Sequence, residues 1–387
     1  MDMVLKRETK IAGLLLLAAW LVFAACNFGK ALLDPETFTK DNVLLKYPMI
    51  EAYGLLQKAM GKRELNSFDL VKDRLGYLHT GNFYVSFGED QRKIAINYRR
   101  LSGFCGEFGT KTGVIVTPMK VAPEAARYPG IPYNSYLPEA DTLLAWLRYY
   151  GVPCLNLTGL PEESGLGYEG SFYKTDHHWT TPAAFYGYCR ILSWLEELQS
   201  ASLYRGDETR KPGSYTVETD ILFGSQGRRA GLLYSGGPEP FSVYYPRRNG
   251  SFTLRTEGYG GVKEYTGGFR GGLTNEGFGK TVRENLYGES SYDLCFLHGL
   301  HDLARIENLD NSDGLRVLLL CDSYATPLGC FLAQNVSRLD MVYNLGSQRK
   351  NALTMIQENQ YDYVIACLYP ENLALRNCRL FEDLDYA

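Results

Sequence analysis

The sequence predicts an α/β protein: a three-layer sandwich around a parallel sheet, with a β-rich segment inserted at about 205–292 and one apolar N-terminal helix ahead of it. Three observations carry that prediction. Short apolar runs alternate with stretches of helical period in residues 113–198 and again in 316–369, the rhythm of strands and crossover helices around a parallel sheet. The runs are hydrophobic on both faces, as RVLLL at 316–320 illustrates, and strands buried on both faces belong to parallel sheets. Between the two blocks the chain turns rich in Gly, Tyr, Arg and Thr, which suits hairpins and long loops.

The elements follow in order. Ile11 to Phe28 is an 18-residue run in which only Asn27 is polar, near the shortest length that spans a bilayer. Lys6, Arg7 and Lys10 precede it, a bias that leaves the N-terminus in the cytoplasm and residues 31–387 outside. The expectation is an uncleaved single-pass anchor over residues 1–30. A lipoprotein processed at Cys26 in VFAAC, or a signal cleaved near Ala24 and Ala25, is the second reading, and either one exports the rest of the chain. Residues 31–75 form an approach segment in which EAYGLLQKAMGKRE has helical spacing and packs near the membrane.

GVIVTP (113–118) is the first strand of the main domain, PEADTLLAWLRYYG (138–151) a helix and VPCLNL (152–157) the next strand. Thr181 caps a helix opening at Pro182, where a missing N–H costs nothing. Phe185, Tyr188, Leu192, Leu195 and Leu198 recur behind it at helical spacing. After the insertion come a strand at 316–320, a tight connection CDSYATPL and a helix GCFLAQNVSR (329–338). A strand LDMVY (339–343), a helix at 347–360 and a strand YDYVIACLY (361–369) complete the pattern.

Composition narrows the function. With 45% hydrophobic and 22% charged residues the chain buries a large core, and a net charge of -4 supplies no basic field for nucleic acid. Nine cysteines are scattered without a C-x-x-C pair, most of them in apolar runs where cysteine acts as a small hydrophobe. Zinc therefore has no support from spacing and no cofactor is expected; one disulfide through Cys105 stays open.

The chemistry concentrates in two places. FYKTDHHWTTP (172–182) sets Asp176, His177 and His178 just before a helix, and Asp322 and Ser323 follow a buried strand. Ligands of parallel sheets gather at such carboxyl ends. A serine needs a base to take its proton, and the base works best when an acid fixes its tautomer. Ser323, His178 and Asp176 are those three residue types, and the Ser323 N–H beside a helix start can help bind an oxyanion. The plainer reading is that both stretches are helix-capping networks.

YKTDHHWTTPAAFYGY and VLLLCDSYATPL together resemble the bacterial DHHW protein family. That family is a branch of the SGNH-hydrolase-like proteins related to the alginate O-acetylation proteins. GVIVTPMKVAPEAARYPG and YDYVIACLYPENL extend the resemblance over most of the exported part. It implies an SGNH-hydrolase-like fold with Ser323 as nucleophile, His178 as base and Asp176 as orienting acid. His177, Asp322 and Tyr324 are then the candidate substrate-binding residues, with His177 alternatively capping the turn and Asp322 bracing it. The activity implied is that of a serine O-acyltransferase or esterase acting on acetyl groups of a cell-surface polysaccharide. For transfer, a membrane partner must deliver the acyl group.

The chain departs from the family pattern in having Cys321 before the Asp-Ser pair, Leu300 where an asparagine stands, and no arginine in MVYNLGS. These departures support a second reading, a non-catalytic glycan-binding or assembly protein that keeps the fold. A third is a metal-dependent hydrolase joining Asp176 and His178 to His298 and His301 on a helical turn.

Overall fold

Val114, Val116, Leu318, Leu320, Val364 and Ala366 point to one side of a sheet, Ile115, Leu319, Ile365 and Cys367 to the other, and all are buried. This two-residue alternation with apolar side chains on both sides is what a sheet between two helical layers requires. The computed structural model of the chain describes residues 45–81, 91–258, 260–343 and 345–373, with positions 14, 17, 18, 21–28, 43 and 378.

The sheet has eight strands. In chain order they are β1 (Lys111–Val116), β2 (Cys154–Asn156), β5 (Phe252–Gly258), β6 (Gly261–Gly268), β7 (Leu303–Asn308), β8 (Arg316–Cys321), β9 (Arg338–Val342) and β10 (Tyr363–Leu368). β3 (Tyr215–Leu222) and β4 (Glu239–Pro246) form a separate antiparallel pair. Across the main sheet the order is β2-β1-β10-β8-β9-β7-β5-β6. Strands β2 to β9 of that order are mutually parallel, with Val317 opposite Leu339 on one side and Tyr363 on the other. The remaining pairings, β9 with β7, β7 with β5 and β5 with β6, are antiparallel.

The expected parallel sheet is therefore the inner part of a mixed one. Residues from the β-rich segment supply the edge, because β5 and β6 are joined by a short turn and adjacent strands so joined can only run antiparallel. Helices α2 (Gln91–Gly106), α3 (Leu137–Tyr149) and α8 (Leu345–Glu358) cover one face. The long α4 (Thr181–Gln199) and the short α7 (Thr326–Leu332) cover the other. Ahead of them α1 (Lys46–Ala59) packs on two short helices, α5 (Ser225–Ala230) and α6 (Leu232–Ser235).

Two boundaries differ from expectation. Thr180, not Thr181, caps α4: its hydroxyl accepts from the Ala183 N–H at 3.3 Å and donates to the Gly170 carbonyl at 2.7 Å. The helix expected at 329–338 begins at Thr326 and ends at Leu332. Pro327 fits its first turn, and the buried Asn335 that follows gives its side chain to Tyr188 and Tyr204. Of the N-terminal span expected over Ile11 to Phe28, positions 11–13, 15, 16, 19 and 20 lie outside the described residues; among those described, no helix is long and apolar enough to cross a membrane. Among the described residues no disulfide links Cys105 to another cysteine.

Candidate active site

The DHHW string sits in a closed loop. Phe172 and Trp179 bridge each other in antiparallel fashion, and the Thr180 N–H donates to the Ser171 carbonyl at 2.9 Å. Trp179 is fully buried, and its indole N–H reaches Tyr292 Oη at 3.2 Å and the Tyr324 carbonyl at 3.1 Å. Trp179 thereby ties the loop to the turn after β8. That turn opens with Ser323, where Asp322 Oδ1 accepts from the Tyr324 N–H at 3.1 Å.

These anchors bring the three expected residues into line. His178 Nδ1 donates to Asp176 Oδ1 at 2.6 Å, and His178 Nε2 lies 2.8 Å from Ser323 Oγ. With the proton held on Nδ1 by the carboxylate, Nε2 carries the lone pair that accepts from the serine hydroxyl. The imidazole lies flat on the Tyr292 ring, centroids 4.0 Å apart and planes at 13°. Asp176 also accepts from the His178 N–H at 3.0 Å and, through Oδ2, from the Ser225 N–H at 2.7 Å. Burial alone would push its pKa up; the His178 and His177 charges and these donors hold it well below the usual carboxylate range.

Lys120, four residues past the end of β1, is buried beneath the string. Its ammonium donates to the Tyr173 carbonyl at 3.0 Å, to Gln226 Oε1 at 2.7 Å and to the Asp176 carbonyl. Burial pushes its pKa down to about 8, with Asp176 and Glu239 acting the other way. Glu239 at the start of β4 clamps the preceding residues, accepting from the Lys174 and Thr175 N–H groups at 2.7 Å each and from Thr175 Oγ1 at 2.6 Å. Gly224 closes the packing: a Cβ there would stand 2.3 Å from Asp176 Cβ and 2.5 Å from the Thr175 carbonyl oxygen.

The other expected residues fall differently. His177 keeps about a third of its side chain exposed and faces a small cleft that Lys120, Gln226, Tyr369 and Glu371 also line. Burial of its inner edge and the adjoining His178 charge push its pKa down. Asp322 and Tyr324, the other candidate substrate-binding residues, both hold the turn after β8 in place. Asp322 Oδ2 accepts from the Tyr369 N–H at 2.8 Å and from Asn372 Nδ2 at 3.0 Å. Tyr324 is buried, stacks on Tyr369 at 4.2 Å and donates its hydroxyl to the His177 carbonyl.

His298 and His301 do not join the site. His298 stacks on Tyr265 at 3.8 Å and donates to the Gly271 carbonyl, while His301 donates to the Leu297 carbonyl. Leu297, His298 and Gly299 all have positive φ, so the expected helical turn is absent and the two imidazoles are directed to backbone carbonyls. Among the described residues the one grouping of metal-ligand types is Asp176, His177 and His178. Its inner pair is hydrogen-bonded at 2.6 Å, whereas two ligands of one ion, each about 2 Å from it, stand farther apart. This donor set fits a hydrogen-bonded relay and not a metal.

Sequence reasoning missed Lys120, Ser225, Glu239 and Tyr292. Lys120 had a local signal, a lone lysine closing the apolar run GVIVTPM. The other three approach the loop from the inserted segment, and nothing local marks them.

No family model matches the chain, and no curated protein sequence is significantly similar to it. Solved structures do match its fold. Bacillus cereus PatB1 with a sulfonyl adduct has a TM-score of 0.60 at 19% identity, covering 82% of this chain and 100% of that one. A DHHW family protein from Eubacterium siraeum has a TM-score of 0.53 at 17% identity, covering 80% of this chain and 95% of that one. The fold is thus a mixed α/β sandwich with a large, mostly parallel sheet, shared with these structures. Within that class the likeness to the DHHW proteins, implied by the string at 176–179, is met by a structural neighbour of that family.

Proposed function

We propose that this protein is a serine acyl-transfer enzyme in which Ser323 is the nucleophile, His178 the general base and Asp176 the acid that orients it. The observation that carries the proposal is the unbroken chain of contacts at 2.6 and 2.8 Å from Asp176 through His178 to Ser323. Ser323 Oγ attacks the carbonyl carbon of an acetyl ester while its proton passes to His178 Nε2. The tetrahedral centre then expels the leaving alkoxide, which takes that proton, and acetyl remains on Ser323. A sugar hydroxyl or water repeats the sequence in reverse, giving transfer or hydrolysis.

A cell-surface polysaccharide as acceptor follows from the resemblance to the acetylation-related proteins, and with it a membrane partner that delivers the acyl group. The partly exposed His177 beside the small cleft is the residue that meets the incoming group. PatB1, a neighbour in fold, carries a sulfonyl adduct; sulfonyl groups are captured by activated nucleophiles, so the same class of reagent is a direct probe here.

The test is intact-protein mass spectrometry after incubation with an activated acetyl ester or a sulfonyl fluoride. A single adduct mapping to Ser323 in the wild type, and absent from Ser323→Ala and His178→Ala, is the expected result. A folded wild-type protein that takes up neither group and turns over no ester would sink the proposal and leave the glycan-binding reading.

A further inference from the structure

Helix α1 is amphipathic in the wrong direction for a helix in water. Its exposed positions include Pro48, Met49, Ala52, Tyr53, Leu55, Leu56 and Ala59, with Met60 at its cap and Lys58 the one charge among them. Leu45, Met49, Tyr53, Leu56 and Met60 recur at intervals of three and four residues and are 39% to 56% exposed, so they form a single stripe along the helix. Glu51 and Gln57 face the protein. Glu51 accepts from the Leu232 N–H at 2.6 Å and the Leu233 N–H at 3.1 Å, and Tyr287 donates its hydroxyl to it. Lys58 donates to the Leu233 carbonyl at 2.8 Å.

The helix is held rigidly in this orientation. A Cβ on Gly54 would stand 2.4 Å from the Ala230 carbonyl oxygen, so α1 lies close against α5. Tyr47 stacks on Tyr287 at 4.4 Å. The exposed apolar stripe is therefore a fixed feature of the surface, of the kind that marks an interaction site.

The sequence ahead of α1 says what covers it. Residues 11–28 are apolar throughout except Asn27 and long enough to enter a bilayer. Only residues 29–45 separate them from the helix, a tether that reaches at most about 60 Å when fully extended. We propose that α1 lies in the outer headgroup layer of the membrane that residues 11–28 enter, with its Leu45 to Met60 stripe buried among the acyl chains. An interfacial helix of this kind sinks its apolar face about 5–10 Å below the headgroups. The inference rests on the membrane expectation for residues 11–28 and not on the chemistry of Ser323.

This docking ties the candidate active site to the membrane. α5 carries Ser225, which donates to Asp176, at one end and Ala230, against Gly54, at the other. A six-residue helix spans about 9 Å. Seated on the bilayer, α1 holds the Asp176 loop one short helix away from the surface where a membrane-borne acyl donor arrives.

The test uses the full chain in phosphatidylglycerol and phosphatidylethanolamine vesicles, after alkaline extraction shows residues 11–28 inserted. Photoreactive benzoylphenylalanine replaces Met49, Leu56 or, as an equally exposed control after β7, Leu309. Lipid adducts at positions 49 and 56 and none at 309 are the expected result. Cross-links to a second copy or to the chain itself, or no lipid adduct from an inserted protein, overturn it. Leu56→Glu combined with Met49→Glu gives an independent reading: amide exchange of residues 45–60 is slowed by vesicles in the wild type and unchanged by them in the double variant.

Discussion

Ser323 becomes useful only because its proton has a place to go, and His178 offers that place because Asp176 keeps the Nδ1 proton where it is. Asp176→Asn preserves the shape but lets the amide present its NH₂ to Nδ1, which favours the wrong tautomer. The acylation rate should fall by about 10⁴-fold with little change in folding, measured by burst kinetics with an acetyl ester. Lys120 acts one layer behind. Its charged form supplies three N–H donors for three acceptors, and the neutral amine supplies only two. The acylation rate should therefore drop as pH rises through about 8. Lys120→Met should lower the rate about 10–100-fold, as loss of a supporting contact typically does, and remove that alkaline limb. Stability moves in the opposite sense. Burial lowers the folded pKa below that of a free lysine, so between about pH 8 and 10.4 the unfolded chain binds more protons. The fold gains from this lysine as pH rises through that window, and wild type minus Lys120→Met in urea unfolding should show the gain.

At the scale of the element, α4 matters because it begins where the DHHW loop ends. Thr180 serves both, capping the first turn and holding the Gly170 carbonyl. Thr180→Ala should cost about 1 kcal/mol, read as a lower urea midpoint, and slow Ser323 acylation because the loop loses its hinge point. The strands were legible for a simple reason: after polar first residues in β1 and β8, the runs 113–116, 317–321 and 363–368 carry buried residues toward both faces, and few structures other than a buried strand accept that pattern. The start of α7 was not legible, since Thr326 and Pro327 read equally as part of a connection. The cap of α4 was misplaced by one residue because Thr180 and Thr181 are chemically alike, and only the turn toward Gly170 distinguishes them.

Across the whole molecule, the parallel and antiparallel parts of the sheet meet at β9 and β7, and Asp340 fastens the seam. It is fully buried and accepts from Arg338 Nη2 at 2.7 Å, from Arg305 Nε on β7 at 3.1 Å and from the Tyr361 hydroxyl before β10. Asp340→Ala leaves two guanidinium groups without their buried partner and should destabilise the protein by about 3 kcal/mol in urea unfolding. Ser323 should keep its reactivity in the protein that remains folded. At the same scale the segment near 205–292 is more than an edge to the sheet. Ser225 and Glu239 reach the DHHW loop and Gln226 reaches Lys120 beneath it, so these residues are part of what shapes the candidate active site.

By itself the sequence determined the α/β class and the order of its main strands and helices. It also identified the three residues that end in contact, because Asp176, His178 and Ser323 stand in strings, YKTDHHWTTPAAFYGY and VLLLCDSYATPL, that resemble the DHHW family, and because an acid, a base and a nucleophile are specific in their chemistry. Tertiary structure decided the rest: the antiparallel extension, the bracing roles of Asp322 and Tyr324, the exclusion of His298 and His301, and the support from Lys120, Glu239 and Tyr292. The physical reason is that these depend on contacts between residues distant in the chain. Ser323 and His178 are 145 residues apart and Lys120 and Gln226 are 106, and no local pattern encodes where two such side chains meet.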